Sequence, residues 1–261
     1  MHFSNLRVLS KHVKKSAVIG ERKQGGKSLY KVALSSNDFV FSQSTINSSV
    51  CTEDNSHLIR PISIKFVNTN GDAWSNDSLK SNYRSFIGAY NFVNHVQDHD
   101  KSVGFIADAA LRRIILSREE NASVYYTDIL VATHRDYSDV VSKVLSNEIE
   151  FMSMGCEAFK SQCSKCGEVF TEEGNLCDHL TFEKGKTYID GNGKRRIVAE
   201  LLGNAEDGSV EFIEASWLTQ IPAFGGACRR HSLAIPDGTD VEIEFPEEVL
   251  SKPAMERFIS N

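Results

Sequence analysis

Proline is scarce in this sequence: five residues in 261, with only Pro61 before Pro222. Most of the chain is therefore free of enforced breaks, which suits a continuous sheet or barrel core. Long apolar runs are missing too; none approaches the roughly 18 residues needed to cross a bilayer. The first fifteen residues carry Arg7, Lys11, Lys14 and Lys15 without the unbroken apolar stretch of a secretory signal. There is no excess of positive charge, 29 Lys and Arg standing against 35 Asp and Glu, so a basic footprint for nucleic acid is absent. These absences argue against a membrane protein and a nucleic-acid binder, and place the chain in a reducing cytoplasm. Cysteine is sparse but uneven, with four of the six between Cys156 and Cys177. In a reducing compartment such a cluster reads as metal ligation rather than disulfides.

What is present is ordinary globular material, 41% hydrophobic and 25% charged. Alternating apolar residues predict strands at 29–34, 62–67, 86–93, 103–110, 124–133, 149–154, 196–202 and 210–218. The polar stretch 42–57 reads as a loop. Tyr137, Val140, Val141, Val144 and Leu145 share one face of a predicted helix, capped at Asp136 or Ser138 and stopped at Asn147. The fold class expected is α+β, mainly antiparallel β. It divides into an N-terminal extension (residues 1–60), a main domain (61–155 and 194–235), a Cys-rich insertion (156–193) and an acidic C-terminal tail (236–261).

Within the insertion, Cys163-Ser-Lys-Cys166-Gly has the two-residue spacing and following glycine of a metal knuckle, and Cys177-Asp-His179 follows eleven residues later. Three thiolates and an imidazole are a usual structural zinc set. Cys163, Cys166, Cys177 and His179 are the candidate ligands, with Cys156 the alternative to His179. Four ligands leave no open position for water, so the expected role is structural zinc in a segment too polar to build its own core.

Two further residues have chemistry to offer. Ser153 ends a predicted strand with glycine two positions on, where a nucleophile could be exposed beside close backbone N–H groups. His95 ends an apolar strand before a polar turn, where it could act as a base. A second histidine, His99, is four residues later and would allow a metal pair instead, in a zinc hydrolase. Local context alone does not choose among these.

Three ordered blocks carry a resemblance that does. Asn70-Gly-Asp72, Phe86-Ile-Gly88, Phe92-Val-Asn-His95 and Gly104-Phe-Ile-Ala-Asp-Ala109 form the first; Ser153-Met-Gly155 after a helix is the second; Phe212-Ile-Glu-Ala-Ser-Trp217 with Pro222-Ala-Phe224 is the third. Together they resemble the prohead (head maturation) serine proteases of tailed phages, over about residues 62–227. The third block departs slightly, its proline falling about one position late. The resemblance implies a herpesvirus-assemblin-like β-barrel with surrounding helices and a small zinc-binding insertion. It implies that His95 serves Ser153 as general base, with Glu214 as the third catalytic residue and His99 as the alternative. Phage scaffold and major capsid proteins would be the substrates, cut inside the assembling prohead in the host cytoplasm. The insertion would touch scaffold, portal or another protomer of a homo-oligomer. The competing expectation is a non-catalytic assembly protein that keeps the fold and docks through its insertion.

Overall fold

Tyr30, Val32 and Leu34 alternate with half-exposed neighbours and are buried, so the strand expected there forms. A computed structural model describes residues 18–49, 67–117, 122–171, 173–203, 210–220, 229–232, 235 and 237–259. The chain opens with β1 (Val18–Gln24) and β2 (Lys27–Ser35), an antiparallel pair. The Ser-rich run from Ser42, expected as a loop, is instead part of β3 (Phe39–Ser48), buried along nearly its whole length. It is held between two neighbours, and its serine and asparagine side chains lie inside the protein. The expected strand at 62–67 lies outside the described residues except for Val67, which is in no strand.

After β4 (Asp72–Ala73), Ser75 caps α1 (Asn76–Asn82), its Oγ accepting from Ser78 N at 3.0 Å. Tyr83–Phe86 forms a 3₁₀ turn, which shortens the next strand to β5 (Tyr90–Val93). β6 (Gly104–Ser117) and β7 (Ala122–His134) make a long hairpin. Gly104 is required in it: a Cβ there would lie 2.0 Å from the Ala132 carbonyl oxygen.

The expected helix is α2 (Ser138–Leu145), burying Val141 and Val144. Neither Asp136 nor Ser138 caps it: Tyr137 holds the N-cap position without a side-chain bond. Asn147 (φ 63°) turns the chain away beyond it. β8 (Phe151–Ala158) follows, longer than expected and running past Cys156.

The insertion holds β9 (Ser161–Cys163), β10 (Val169–Phe170), α3 (Asp178–Glu183) and β11 (Thr187–Ile189), and extends past its expected end at residue 193, because β12 (Arg195–Ile197) pairs with β11 and β13 (Glu200–Leu202) with β9. The chain then returns through β14 (Val210–Leu218), β15 (Arg229–Ser232) and β16 (Asp240–Pro246), ending in α4 (Glu247–Leu250) and α5 (Pro253–Ile259).

Seven strands form the main sheet in the order β15-β3-β7-β6-β5-β14-β8, antiparallel except where β14 runs parallel to β5. The sheet curls into a half-barrel, which brings β3 near β8. Phe86 and Phe212 stack at 4.2 Å in the core, beside Phe105, Trp217 and Met152. The insertion builds a four-stranded sheet, β10-β9-β13-β4, which borrows β4 from the main body.

Two expected boundaries need correction. The N-terminal extension is not an appendage, because β3 pairs with β7 inside the main sheet. The acidic tail is not free either. β16 pairs with β2, where Glu242 and Glu244 meet Lys31 and Arg22, and Ala254, Met255 and Ile259 are buried in the core. The acidic residues alternate with Val241, Ile243 and Phe245, a strand pattern that net charge had masked.

Candidate active site

β14 organises the site, because β5 and β8 flank it on either side. Glu214 stands opposite Gly155 of β8, and Ser216 opposite Ser153. Side chains two apart on a strand share a face, and directly paired residues point the same way, so Ser153, Glu214 and Ser216 are on one face.

β5 delivers the histidine. Its direction continues one residue further, Asn94 N donating to the Trp217 carbonyl at 2.8 Å. Asn94 (φ 52°) and His95 (φ 56°) then take the left-handed conformation consecutively. Asparagine adopts it readily, but histidine does so at a cost that the surroundings must hold. The holding contact is clear: His95 Nδ1 lies 2.6 Å from Glu214 Oε1.

Glu214 is 1% exposed, and its other oxygen accepts from Ser216 Oγ at 2.6 Å. A buried carboxylate needs such partners on both oxygens. With Glu214 ionised, Nδ1 carries the proton and Nε2 presents its lone pair. The Glu214 hydrogen bond holds the His95 pKa above its ordinary 6.5, against burial and with help from the carboxylate's charge.

Gly155 acquires a specific role here. A Cβ on it would lie 2.6 Å from Glu214 Oε1 and 3.1 Å from Gln97 Nε2. The glycine read in the sequence as room for a substrate oxyanion is room for the carboxylate. Behind the pair, Asn91 Nδ2 donates to the Ala215 carbonyl at 2.8 Å, and Trp217 Nε1 donates to Thr133 Oγ1 at 3.1 Å. These bonds tie β5, β7 and β14 together beneath the site.

Ser153 is half-buried and opens into a cleft of 630 Å³. One wall includes Asn47 of β3 and Trp74, which bridges to Ser49 just beyond β3; the other comes from the insertion, including Phe159, Phe170 and Leu176. Among the described residues the Ser153 hydroxyl has no hydrogen-bond partner, and His95 bonds only to Glu214 through its ring. Positions of this kind commonly tighten only with substrate bound.

His99 does not join the pair. It lies in the 3₁₀ turn His99–Lys101 with its ring stacked on Tyr90 at 4.7 Å. The carboxylate that bonds His95 is that of Glu214. Ser216 was missed by sequence reading, although its two-residue spacing from Glu214 on a strand was a usable signal. Residues 222–224 of the third block lie outside the described residues.

The cysteine cluster assembles as a separate centre. Cys163 ends β9, and the knuckle closes with Gly167 N donating to the Cys163 carbonyl at 2.9 Å and Lys165 N to its Sγ at 3.4 Å. Cys177 is the N-cap of α3, which places His179 in its first turn. Donor atoms of Cys163, Cys166, Cys177 and His179 all lie within 4.8 Å of one another. Cys166 and Cys177 sulfurs are 3.6 Å apart. His179 Nδ1 is buried with no hydrogen-bond partner, so the donor set fits a tetrahedral ion.

Burial pushes the Cys163 thiol up to about 11. Cys166 is brought down to about 7: burial opposes this, but the Glu168 backbone bond and the neighbouring His179 and cysteine side chains outweigh it. Cys156 is elsewhere, in the cleft wall, its thiol pushed up to about 12 by burial and then by Asp72 and Glu214. His95 and His99 are in no metal-capable group among the described residues. No helix among those residues is long and apolar enough to cross a membrane. Comparison with models of known families, with curated proteins and with solved structures found no match.

Proposed function

We propose that this chain is a serine endopeptidase in which Ser153, His95 and Glu214 act as one unit. The observation that carries the reading is the 2.6 Å bond from His95 Nδ1 to a buried carboxylate on the strand face that also carries Ser153. A bond at Nδ1 leaves Nε2 as the basic nitrogen, the arrangement a general base requires.

In the reaction, Ser153 Oγ attacks the scissile carbonyl carbon while His95 Nε2 takes its proton. Glu214 stabilises the imidazolium that forms. His95 then gives that proton to the departing amine, leaving an acyl group on Ser153. Water, deprotonated by His95, attacks the acyl carbon; the bond from that carbon to Ser153 Oγ breaks, the carboxylic acid product leaves, and Oγ takes the proton back from His95.

The finer reading is a prohead-maturation protease with an assemblin-like barrel. It is supported by the order of the histidine, serine and glutamate blocks along the chain. Its substrates would be scaffold and major capsid proteins within the assembling head in the host cytoplasm. The ion at Cys163, Cys166, Cys177 and His179 would be zinc, stiffening the insertion rather than entering the chemistry. The insertion would be free to meet scaffold, portal or a second protomer.

The unbonded Ser153 hydroxyl favours one other reading, a non-catalytic assembly protein with the same fold. Co-expression with the scaffold and capsid proteins of the same phage separates the two. The wild-type chain cuts them and Ser153→Ala does not; unchanged processing by Ser153→Ala overturns the mechanism.

A further inference from the structure

The turn that carries His95 has little in it to hold its own shape. Asn94 and His95 are left-handed in succession, and the residues after them close on three-residue turns. Gln97 N donates to the His95 carbonyl at 2.9 Å, and Asp98 N to the Val96 carbonyl at 2.8 Å. Left-handed histidine is strained, and bonds closing so small a ring are bent from the ideal angle. Such a turn keeps one shape only when its two ends are fixed from outside.

The near end is fixed by the main sheet. Asn94 N bonds the Trp217 carbonyl, and Asn94 Oδ1 accepts from Thr219 N at 3.2 Å, just beyond β14. At the far end Asp98 builds the 3₁₀ turn His99–Lys101: its carboxylate accepts from Asp100 N at 3.1 Å and its carbonyl from Lys101 N at 2.8 Å. Overlapping hydrogen bonds therefore run from His95 to that turn.

The 3₁₀ turn is where Arg257 arrives from α5. Its Nη1 donates to the His99 carbonyl. Its Nη2 donates to the Asp100 carbonyl at 2.6 Å and to the Tyr137 hydroxyl at 2.8 Å. Carbonyls at the end of a helical turn favour a cation, and a planar fork reaches two of them at once. Arg257 is firmly based: α5 buries Ala254, Met255 and Ile259, and Phe258 packs on Phe105 and His134. Tyr137 is in turn the N-cap residue of α2.

We infer that Arg257 is a positioning residue for the general base: anchored in α5, it fixes the far end of the His95 turn and so keeps the imidazole on Glu214. The catalytic consequence rests on the peptidase reading; the tether itself does not. Lysine at 257 would keep the charge and the helix, but a single ammonium lacks the fork that spans both carbonyls and the hydroxyl.

The test compares the full-length wild type with Arg257→Lys and Arg257→Ala. One reading is the rate at which a fluorophosphonate labels Ser153. The other is the titration of the His95 ring followed by NMR, its signal identified by loss in His95→Gln. Both variants should keep β6 and β7 protected from hydrogen exchange, and should label about 10–100-fold more slowly. Glu214 is the charged group that acts on His95 and raises its pKa, so a ring released from Glu214 should titrate nearer 6.5 than in the wild type. A change in global stability alone would leave that titration where it was. If Arg257→Ala does not fold, Arg257→Lys decides the matter alone. A His95 ring that titrates as in the wild type in the folded variants overturns the inference.

The two claims fail separately. A shifted titration in a chain whose wild type forms no adduct keeps the tether and loses the peptidase. A wild type that labels no faster than the Arg257 variants keeps the peptidase and loses the positioning role.

Discussion

Glu214 and Gly155 explain each other at the scale of single residues. The carboxylate occupies the space a side chain at 155 would fill, and from there it reaches His95. Gly155→Ala is expected to fold, with a packing cost of about 1–3 kcal/mol. It should nonetheless lose about 100-fold in kcat/KM by displacing the pair. Equal kcat/KM for the two proteins would detach Gly155 from the site.

Glu214→Gln removes the charge that orients and stabilises the imidazolium, and should lower kcat by about 10³–10⁴-fold. It should also move the pH profile. Because the Glu214 hydrogen bond raises the His95 pKa above 6.5, the neutral base appears only at higher pH in the wild type. The acid limb of kcat/KM should shift down in Glu214→Gln. The linked stability has the opposite sense: it is present below the ordinary histidine range and fades as pH rises through the raised value. An acid limb that stays in place would contradict this assignment.

At this scale the sequence was legible for residue identity and less so for role. His95, Ser153 and Glu214 stand 58 and 61 positions apart, so no local pattern links them. They meet because β14 pairs with β5 on one side and β8 on the other, and only the order of blocks hinted at that. The reason for Gly155 was hidden because it depends on a residue on another strand.

Single elements show why polar composition misleads. β3 was read as a loop from Ser42 on, since four of its ten residues are serine or threonine and two more are Gln43 and Asn47. Tertiary placement overrode that preference: β7 and β15 pair with it on both edges, and the curl of the sheet covers its faces. The zinc-type insertion was legible from its spacing, because ligand chemistry fixes spacing more tightly than burial does.

The apolar cluster around the cysteines is small, built on Cys163, Phe170, Leu180 and Val198. An ion held by Cys163, Cys166, Cys177 and His179 would supply much of what such a small core lacks. Cys163→Ser should therefore lose the bound ion and the insertion's amide protection from hydrogen exchange, while β6 and β7 stay protected. Because Phe170 and Leu176 wall the cleft, peptide binding should weaken with it. Metal-free wild-type protein with an equally protected insertion would contradict the metal's role.

Over the whole molecule, the ends of the described chain are stitched into its middle. β2 joins β1 to β16, and the C-terminal helices pack on the main core. The sequence reading placed a domain boundary near residue 60 and a tail from 236, because it weighed composition more than long-range pairing. The mainly antiparallel α+β class was legible, since 3.6- and 2-residue periodicities survive in long segments such as α2, β7 and β14.

The most direct test of the catalytic unit is reaction of the full chain with a fluorophosphonate, read by peptide mass spectrometry. One adduct on Ser153, much slowed in His95→Ala and Glu214→Gln, is the predicted result. No adduct at Ser153, or one that forms as fast without His95, would contradict it.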